Sequence, residues 1–523
     1  MKYYLGLDNG GTTTKAAVFD GNGRQIASAG TSTRMLVPKP GFTERDMEEM
    51  WEANCQVVRE ALHRSGCDPN GIAAVAVCGH GKGLYLWGKD KKPVRNGIIS
   101  TDNRAWEYPK RWEKEGVTGR VFARSCQHVL ASQPVSLLGW LRDNEPGAIE
   151  RTKYIFECKD YVRFRLTDKA YAERTDYSGA NFVNLHTGEY DPELLALFGL
   201  SDCLDKLPPL RNATDVCGFV TKEAAQRTGL PEGTPVAGGA FDIDACALAV
   251  DVTDETHICM IAGTWSINEY IRATPVLDGS VLMNSFFCLP GYYLVEECSA
   301  TSAGNNEWFI KTMLPEAEEA AKKAGKRFYD QMDEWVDGIK PGTFCPIFLP
   351  FLMASNTHSN AMACFVGMSN YHTRAHLVRS IYEGVAFSHR YHLEKLLASR
   401  TEPPKGIRLA GGVARSAVWT QMFADVMNLP VETVKVKETG ALGCAIIGAT
   451  ASGAYASLPE AADAMCRISE PVLPDAGRVA IYDRKYRLYR ATIDALDPLW
   501  DDIQAYKDGR MQKVKEQARR KML

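Results

Sequence analysis

The chain has 523 residues, more than one hydrophobic core organises, so two large domains are expected. Hydrophobic residues make up 45% and charged residues 24%, and the net charge of −3 gives no electrostatic case for nucleic acid or an anionic membrane as partner. No stretch approaches the roughly 20 apolar residues needed to cross a bilayer. No signal-peptide apolar region precedes the first strand-like run, and the 15 cysteines, none spaced Cys-x-x-Cys, read as buried thiols of a reducing cytoplasm rather than disulfides or zinc ligands.

From the N-terminus, Tyr3–Asp8, Thr14–Asp20 and Gln25–Thr31, separated by turns, predict a meander of three short strands. Apolar residues at helical spacing from Asp46 to Ser65 predict a helix, and the apolar run Ile72–Cys78 predicts a buried strand ending in Gly79-His80-Gly81. The theme returns later: His257–Ala262, a Gly-Thr turn, Ser266–Arg272, a helix from Arg374 to Ser399, and a strand Gly406–Leu409 running into Gly411-Gly412. Such duplication suggests two related lobes, 1–250 and 251–523, facing one another across a cleft. Segment 311–340 reads as a charged helical insertion, and Lys513–Lys521 as a basic, solvated final helix.

Four motifs carry chemistry. In Asp8-Asn9-Gly10-Gly11-Thr12-Thr13-Thr14-Lys15, glycines between two strands let a ligand approach the backbone, threonines add donors, and the aspartate at the strand end suits Mg²⁺. Ala262-Gly263-Thr264-Trp265-Ser266 sits at the matching place of the second half, so two Gly-Thr hairpins could grip one polyphosphate. Gly238-Gly239-Ala240-Phe241-Asp242 follows the strand-like Pro235–Ala237, and Asp242 suits the residue that orients an attacking hydroxyl and accepts its proton. Leu409–Ser416 reads as a strand entering a glycine pair and then a helix, a plausible nucleotide turn. The small-residue helix start Glu438–Ala445 reads as close packing.

In order and spacing these motifs resemble the FGGY family of carbohydrate kinases over about residues 2–495, most closely its L-xylulose kinase branch. Gly41–Met47, Gly81–Leu84, Gln133–Trp140, Gly188–Pro192 and Thr301–Phe309 carry the closer likeness. Ser132–Asn144 resembles the family's first signature but has Leu137 where lysine is usual, and Ile243 follows Asp242 where many members carry Asn or Gln. The resemblance implies an α/β fold of the actin-like ATPase kind, with two RNase H-like lobes. It implies ATP and Mg²⁺ as cofactors and phosphorylation of a sugar or polyol, with the terminal 5-OH of a ketopentose such as L-xylulose expected. D-xylulose, L-ribulose, 3-keto-L-gulonate and erythritol stay open as substrates, as does a non-catalytic actin-like ATP-binding protein. A homodimer is compatible with the family.

By the same resemblance, Asp242 is the catalytic base and Asp8 the metal-associated carboxylate. Gly10, Gly11, Thr12, Thr13, Thr14, Lys15, Gly263 and Thr264 face the phosphates, and Gly304, Gly411, Gly412 and Ser416 the adenosine side. His80, Gly81, Lys82, Asp102, Arg104 and Asp176 fall on the substrate side. Four alternatives remain at residue level: a turn-capping role for His80, a plain surface lysine at Lys82, an internal ion pair between Asp102 and Arg104, and a structural role for Asp176 in a polar turn, Asp176–Ala180.

Overall fold

The computed structural model describes residues 2–507. The expected basic helix at Lys513–Lys521 lies outside the described residues. Two compact units emerge. One holds the chain through His257 together with Glu269–Glu296 and Val434–Ser469; the other holds Ile258–Asn268, Glu297–Thr433 and the chain from Glu470.

The first unit is built on β1 (Tyr3–Asn9), β2 (Thr13–Asp20), β3 (Gln25–Ser32), α1 (Met47–Ser65), β4 (Ile72–Gly79), α2 (Cys158–Thr167), α3 (Arg174–Gly179), β5 (Val216–Phe219), β6 (Pro235–Ala237), β7 (Ala240–Phe241) and α4 (Asp242–Ala249). Its sheet runs β5-β6-β4-β1-β2-β3, with β7 also pairing β4. The meander is antiparallel, β1 with β2 and β2 with β3, while β1 and β4 are parallel, so α1 is the crossover between them. Asp46 begins α1 by accepting from the Glu48 and Glu49 amides, and Gly66 ends it in the left-handed region at φ 62°. Its buried face, including Met50, Trp51, Val57, Val58 and Ala61, joins Leu5, Leu7, Val75 and Val77 in one core.

The helix Thr439–Ala451 packs against β1 and α4. It lies so near β1 and α4 that a Cβ on Gly6 would collide with the Ala441 carbonyl oxygen, and one on Gly443 with that of Ala245. The small-residue run therefore serves close packing, as its composition suggests.

The hairpin of the repeat is formed by β8 (His257–Ala262) and β9 (Ser266–Arg272), of which Ile258–Asn268 belong to the second unit. They are followed by α5 (Arg374–Ala398), β10 (Gly406–Ala410), α6 (Ala417–Met427) and β11 (Val431–Thr433). The strand order is β9-β8-β10-β11, with β10 and β11 parallel. Segment 311–340 is helical as expected, contributing to helices at Gly304–Met313, Pro315–Lys323 and Phe328–Asp337.

Candidate active site

The β1–β2 turn is a backbone-lined loop held from behind. Buried Arg45 donates from its guanidinium to the Gly10 carbonyl (3.2 Å) and to that of Gly11. Gly11, Thr12 and Thr13 stay at least partly accessible. Thr14 does not: strand alternation turns its side chain inward, where its hydroxyl donates to Asn9 Oδ1 (3.3 Å), an oxygen that also accepts from Asn54 (2.8 Å). Thr14 is thus a support for the turn and not one of its ligand-facing donors. Lys15, expected among the phosphate contacts, is paired with Glu438 at 3.0 Å. Asp8, the penultimate residue of β1, is half-buried. Burial raises its pKa, Lys15 opposes the rise, and Glu438 adds to it. A Cβ on Gly440 would sit 2.8 Å from Asp8 Oδ2 and 3.2 Å from Cys78 Sγ, so the Thr439–Ala451 helix lies directly against this carboxylate.

Asp242 is the first residue of α4, with Phe241 before it as the non-helical cap. Gly239 makes the entry possible. At φ 80° it sits where any Cβ would strike the Val77 carbonyl of β4. Phe241 is fixed by its own amide, which donates to Thr175 Oγ1 at 2.8 Å. Its ring lies against Gly81, whose added Cβ would meet Phe241 Cε2 at 2.5 Å and Asp176 Oδ1 at 2.9 Å. One glycine thus marks where the His80-Gly81 turn, Asp176 and the start of α4 converge. Burial raises the Asp242 pKa well above the ordinary carboxylate range; Asp8 and Asp176 add to the rise, Lys82 opposes it, and Glu296 adds again.

His80 is buried, with Nε2 2.8 Å from the Tyr85 hydroxyl. Burial and then the Arg45 cation push its pKa down to about 4, so the imidazole is neutral near pH 7. Lys82 adopts φ 61°, uncommon for a residue with a side chain, and its Nζ lies 3.6 Å from Glu296 Oε1. Asp176 lies in the short helix α3 rather than a turn. Its Oδ2 accepts from Lys159 Nζ at 2.6 Å, while its buried Oδ1 has no partner. Lys159 is completely buried among Asp176, Asp160 (3.1 Å) and Glu173 (3.3 Å), with Arg163 on Asp160 at 2.6 Å. Burial first, then Asp160 and Glu173 among its neighbours, raise Asp176 to about 7 against the opposing Lys159.

Asp102 and Arg104 are occupied with each other. Arg104 Nε donates to Asp102 Oδ1 and Nη2 to Asp102 Oδ2, both at 2.9 Å, and Nη2 also donates to Glu44 Oε1 at 2.8 Å. Asp102 Oδ2 further accepts from the Thr43 amide at 2.6 Å, and Arg104 stacks on Phe42 and Trp140. Of the two readings, the internal ion pair is the one the geometry displays.

The second unit gathers its own set. A Cβ on Gly304 would touch Thr264 Cγ2 at 3.2 Å, and one on Gly411, at φ 89°, the Ala262 carbonyl oxygen at 2.6 Å. The Gly263-Thr264 hairpin, the Gly304 helix start and the Gly411-Gly412 turn therefore adjoin, with Gly263 and Gly412 open around their Cα atoms. Behind them Asn268 receives support from His389, whose Nδ1 lies 2.7 Å from Asn268 Oδ1. Ser416 is turned to structure: its Oγ accepts from the Trp419 amide at 3.1 Å and caps α6, where Trp419 stacks on Tyr382 with ring centres 3.8 Å apart.

Comparison with known proteins gives these clusters a setting. The N-terminal domain model of the FGGY family of carbohydrate kinases matches residues 3–249 and its C-terminal domain model residues 258–452. The chain belongs to the FGGY family of carbohydrate kinases. A probable L-xylulose kinase of Haemophilus influenzae is 37% identical over 95% of this chain and 100% of its own. The L-xylulose/3-keto-L-gulonate kinase of Escherichia coli is 35% identical over 95% and 97%. Among solved structures, the xylulose kinase of Rhodospirillum rubrum superposes with a TM-score of 0.82 at 27% identity, covering 96% of this chain and 100% of that one. The ligand-bound xylulose kinase of Lactobacillus acidophilus, at 23% identity, covers 96% and 100% and shares the fold with a TM-score of 0.85. This FGGY kinase therefore has the two-domain, actin-like ATPase fold that its motifs imply, and it is a carbohydrate kinase with a small-molecule sugar as substrate. No helix among the described residues is long and apolar enough to cross a membrane.

Some residues of the first cluster carry no motif. Lys159 and Glu296 become visible only in three dimensions, and Arg45, although it lies within Gly41–Met47, shows its role only there. A faint signal existed for Lys159: Glu157, Lys159, Asp160 and Arg163 crowd charge into the otherwise apolar stretch from Tyr154 to Phe164.

Proposed function

We propose that this FGGY kinase transfers the γ-phosphoryl group of ATP to the terminal 5-hydroxyl of a ketopentose, with L-xylulose the substrate of choice. The observation that carries the reading is Asp242, a partly buried carboxylate at the start of α4 beside Asp176, Lys82 and the His80-Gly81 turn. Phosphoryl transfer needs little covalent help from protein, so alignment and charge placement supply most of the rate. Asp242 orients the sugar hydroxyl and takes its proton; a carboxylate whose basicity is raised by burial suits that step near neutral pH. His80, neutral and tied to Tyr85, and Asp176, tied to Lys159, offer fixed hydrogen-bonding groups to the other hydroxyls. Each unit offers a backbone-lined turn suited to nucleotide phosphates: Gly10–Thr13 in the first, and the Gly263-Thr264, Gly304 and Gly411-Gly412 group in the second.

Among the described residues no three His, Cys, Asp or Glu side chains gather as a metal-ligand set. Mg²⁺ keeps several waters and binds through one or two carboxylates plus substrate phosphates. Asp8 is the carboxylate that would hold it, and the ion would neutralise charge on the phosphate oxygens. A cytoplasmic setting agrees with the 15 free cysteines.

The E. coli relative's name gives specific support to a second substrate, 3-keto-L-gulonate. A coupled ADP-release screen over pentuloses, hexuloses, keto acids and polyols decides the substrate. Asp242→Asn is expected to lose at least 1,000-fold in kcat while ATP binding and melting temperature stay near wild type. A variant with near wild-type turnover would remove Asp242 from the chemistry.

A further inference from the structure

Beside Asp242 lie two buried carboxylates that neither fold nor helix capping explains. Glu157 precedes α2 at its cap position but makes no side-chain capping bond. It is 1% exposed, and both its oxygens lack a hydrogen-bond partner. Glu296 is equally buried, and neither of its oxygens is hydrogen-bonded. With Asp176 Oδ1 this makes five buried acceptor oxygens without a donor. Buried acceptors without donors cost free energy, so such a concentration marks a place where donors arrive from outside.

Glu157, Glu296 and Asp242 share one neighbour. Lys82 approaches Glu296 at 3.6 Å and acts electrostatically on Glu157 and Asp242, while Glu157 also feels Asp176. Lys82 reaches this position from a left-handed backbone conformation, in which its side chain is held nearly out of solvent. The wall therefore presents more carboxylates than cations, and its central ammonium already faces Glu296.

We propose that Glu157 and Glu296 are specificity-determining residues of this site, forming with Lys82 an acceptor-rich wall that receives the hydroxyl donors of a neutral polyhydroxy ketose and turns away a sugar acid. The proposal rests on the kinase reading above and narrows it. A ketose brings several O–H donors to waiting acceptors. A substrate carboxylate has no donor to offer them, meets Glu296, and finds Lys82 already engaged.

The test compares kcat/KM for L-xylulose and 3-keto-L-gulonate, with a neutral hexulose controlling for chain length, in wild type, Glu157→Gln, Glu296→Gln and Lys82→Met. Wild type is expected to favour the neutral ketoses at least 100-fold. Glu296→Gln, which removes one charge and releases Lys82, should narrow that ratio about tenfold while raising KM for L-xylulose. Glu157→Gln should narrow it in the same sense, and Lys82→Met should widen it. Should the Gln variants fail to fold, the wild-type ratio and Lys82→Met still decide. Equal use of the acid and the ketose by wild type, or ratios unmoved by the substitutions in folded protein, overturns the specificity role and leaves the kinase reading standing. Absence of ADP release with every sugar overturns both.

Discussion

Gly81→Ala tests the placement of the site with one methyl group. Gly81 does not use a left-handed backbone conformation, so the effect is purely steric. The new Cβ would lie 2.5 and 2.7 Å from two carbons of the Phe241 ring and 2.9 Å from Asp176 Oδ1. Carbon–carbon contacts settle near 3.5–4.0 Å, so ring or turn must give by about 1 Å. Overpacking of this kind costs about 1–3 kcal/mol, which a folded chain of this size survives. Catalysis is less tolerant. Phe241 immediately precedes Asp242, and a displacement of about 1 Å at a positioned group can cost roughly 100-fold in rate. The assay is coupled ADP release with separate kcat and KM, alongside thermal melting. Gly119→Ala, where a Cβ meets nothing within 4 Å, is the control. The expected result is a melting point lowered by a few degrees and kcat/KM lowered about 100-fold in Gly81→Ala only. A folded Gly81→Ala enzyme with wild-type kcat/KM would refute the convergence of the His80 turn and the α4 start on the reacting hydroxyl.

Other changes read other parts of the site. Asp8→Ala is expected to raise the Mg²⁺ concentration needed for half-maximal rate about tenfold or more, measured by metal titration at saturating ATP; an unchanged titration curve removes Asp8 from the metal. Gly440→Ala drives a methyl to 2.8 Å from Asp8 Oδ2, so it should reproduce part of the Asp8→Ala defect; a normal metal response would show that the carboxylate tolerates the shift. His80 carries a depressed pKa, about 4 against an ordinary 6.5, so the folded state binds fewer protons than the unfolded state between those values. Its contribution is complete above pH 6.5 and fades as pH falls to about 4, a loss of about 3 kcal/mol. Urea unfolding of His80→Gln should show a correspondingly flatter acid limb, and parallel limbs for the two proteins would contradict that assignment.

The parts of this molecule that were legible in its sequence are those written locally. Alternating apolar residues and a glycine turn are enough to draw β1 and β2, and His257–Ala262 and Ser266–Arg272 are read to the residue. The start of α4 at Asp242 is legible because a glycine pair must bring its strand against β4. What three dimensions add to the motifs is equally physical. Thr12, Thr13 and Thr14 look equivalent in a motif, yet strand alternation sends the third inward to Asn9. Ser416 looks like a nucleotide contact but sits where α6 needs a cap. Asp102 and Arg104 look like substrate groups until Glu44, far away in sequence, is seen to complete their ion pair. Nor does any local pattern show that Glu269–Glu296 and Val434–Ser469 join the first unit, although one segment brings Glu296 and the other Gly440 to the site.

What the sequence hid most completely is the charge beneath that site, and it bears on why the site is built as it is. Two buried cations, Lys159 and Arg163, face three buried carboxylates, Asp160, Glu173 and Asp176. Ion pairs of this kind are poor sources of stability, because removing each charge from water costs about as much as the pairing returns. An apolar core would hold α2 and α3 together as well. What an apolar core cannot do is fix a carboxylate in one rotamer with one oxygen bound and the other left open. Lys159 does this for Asp176: it holds Oδ2 at 2.6 Å and leaves Oδ1 beside the Gly81 turn. Burial first, and then the neighbouring carboxylates against Lys159, raise Asp176 to about 7, so the network holds a basic hydrogen-bond acceptor where a sugar hydroxyl is proposed to sit. On this argument Lys159 is a positioning residue, whose worth lies in the geometry of Asp176 more than in the stability of the fold.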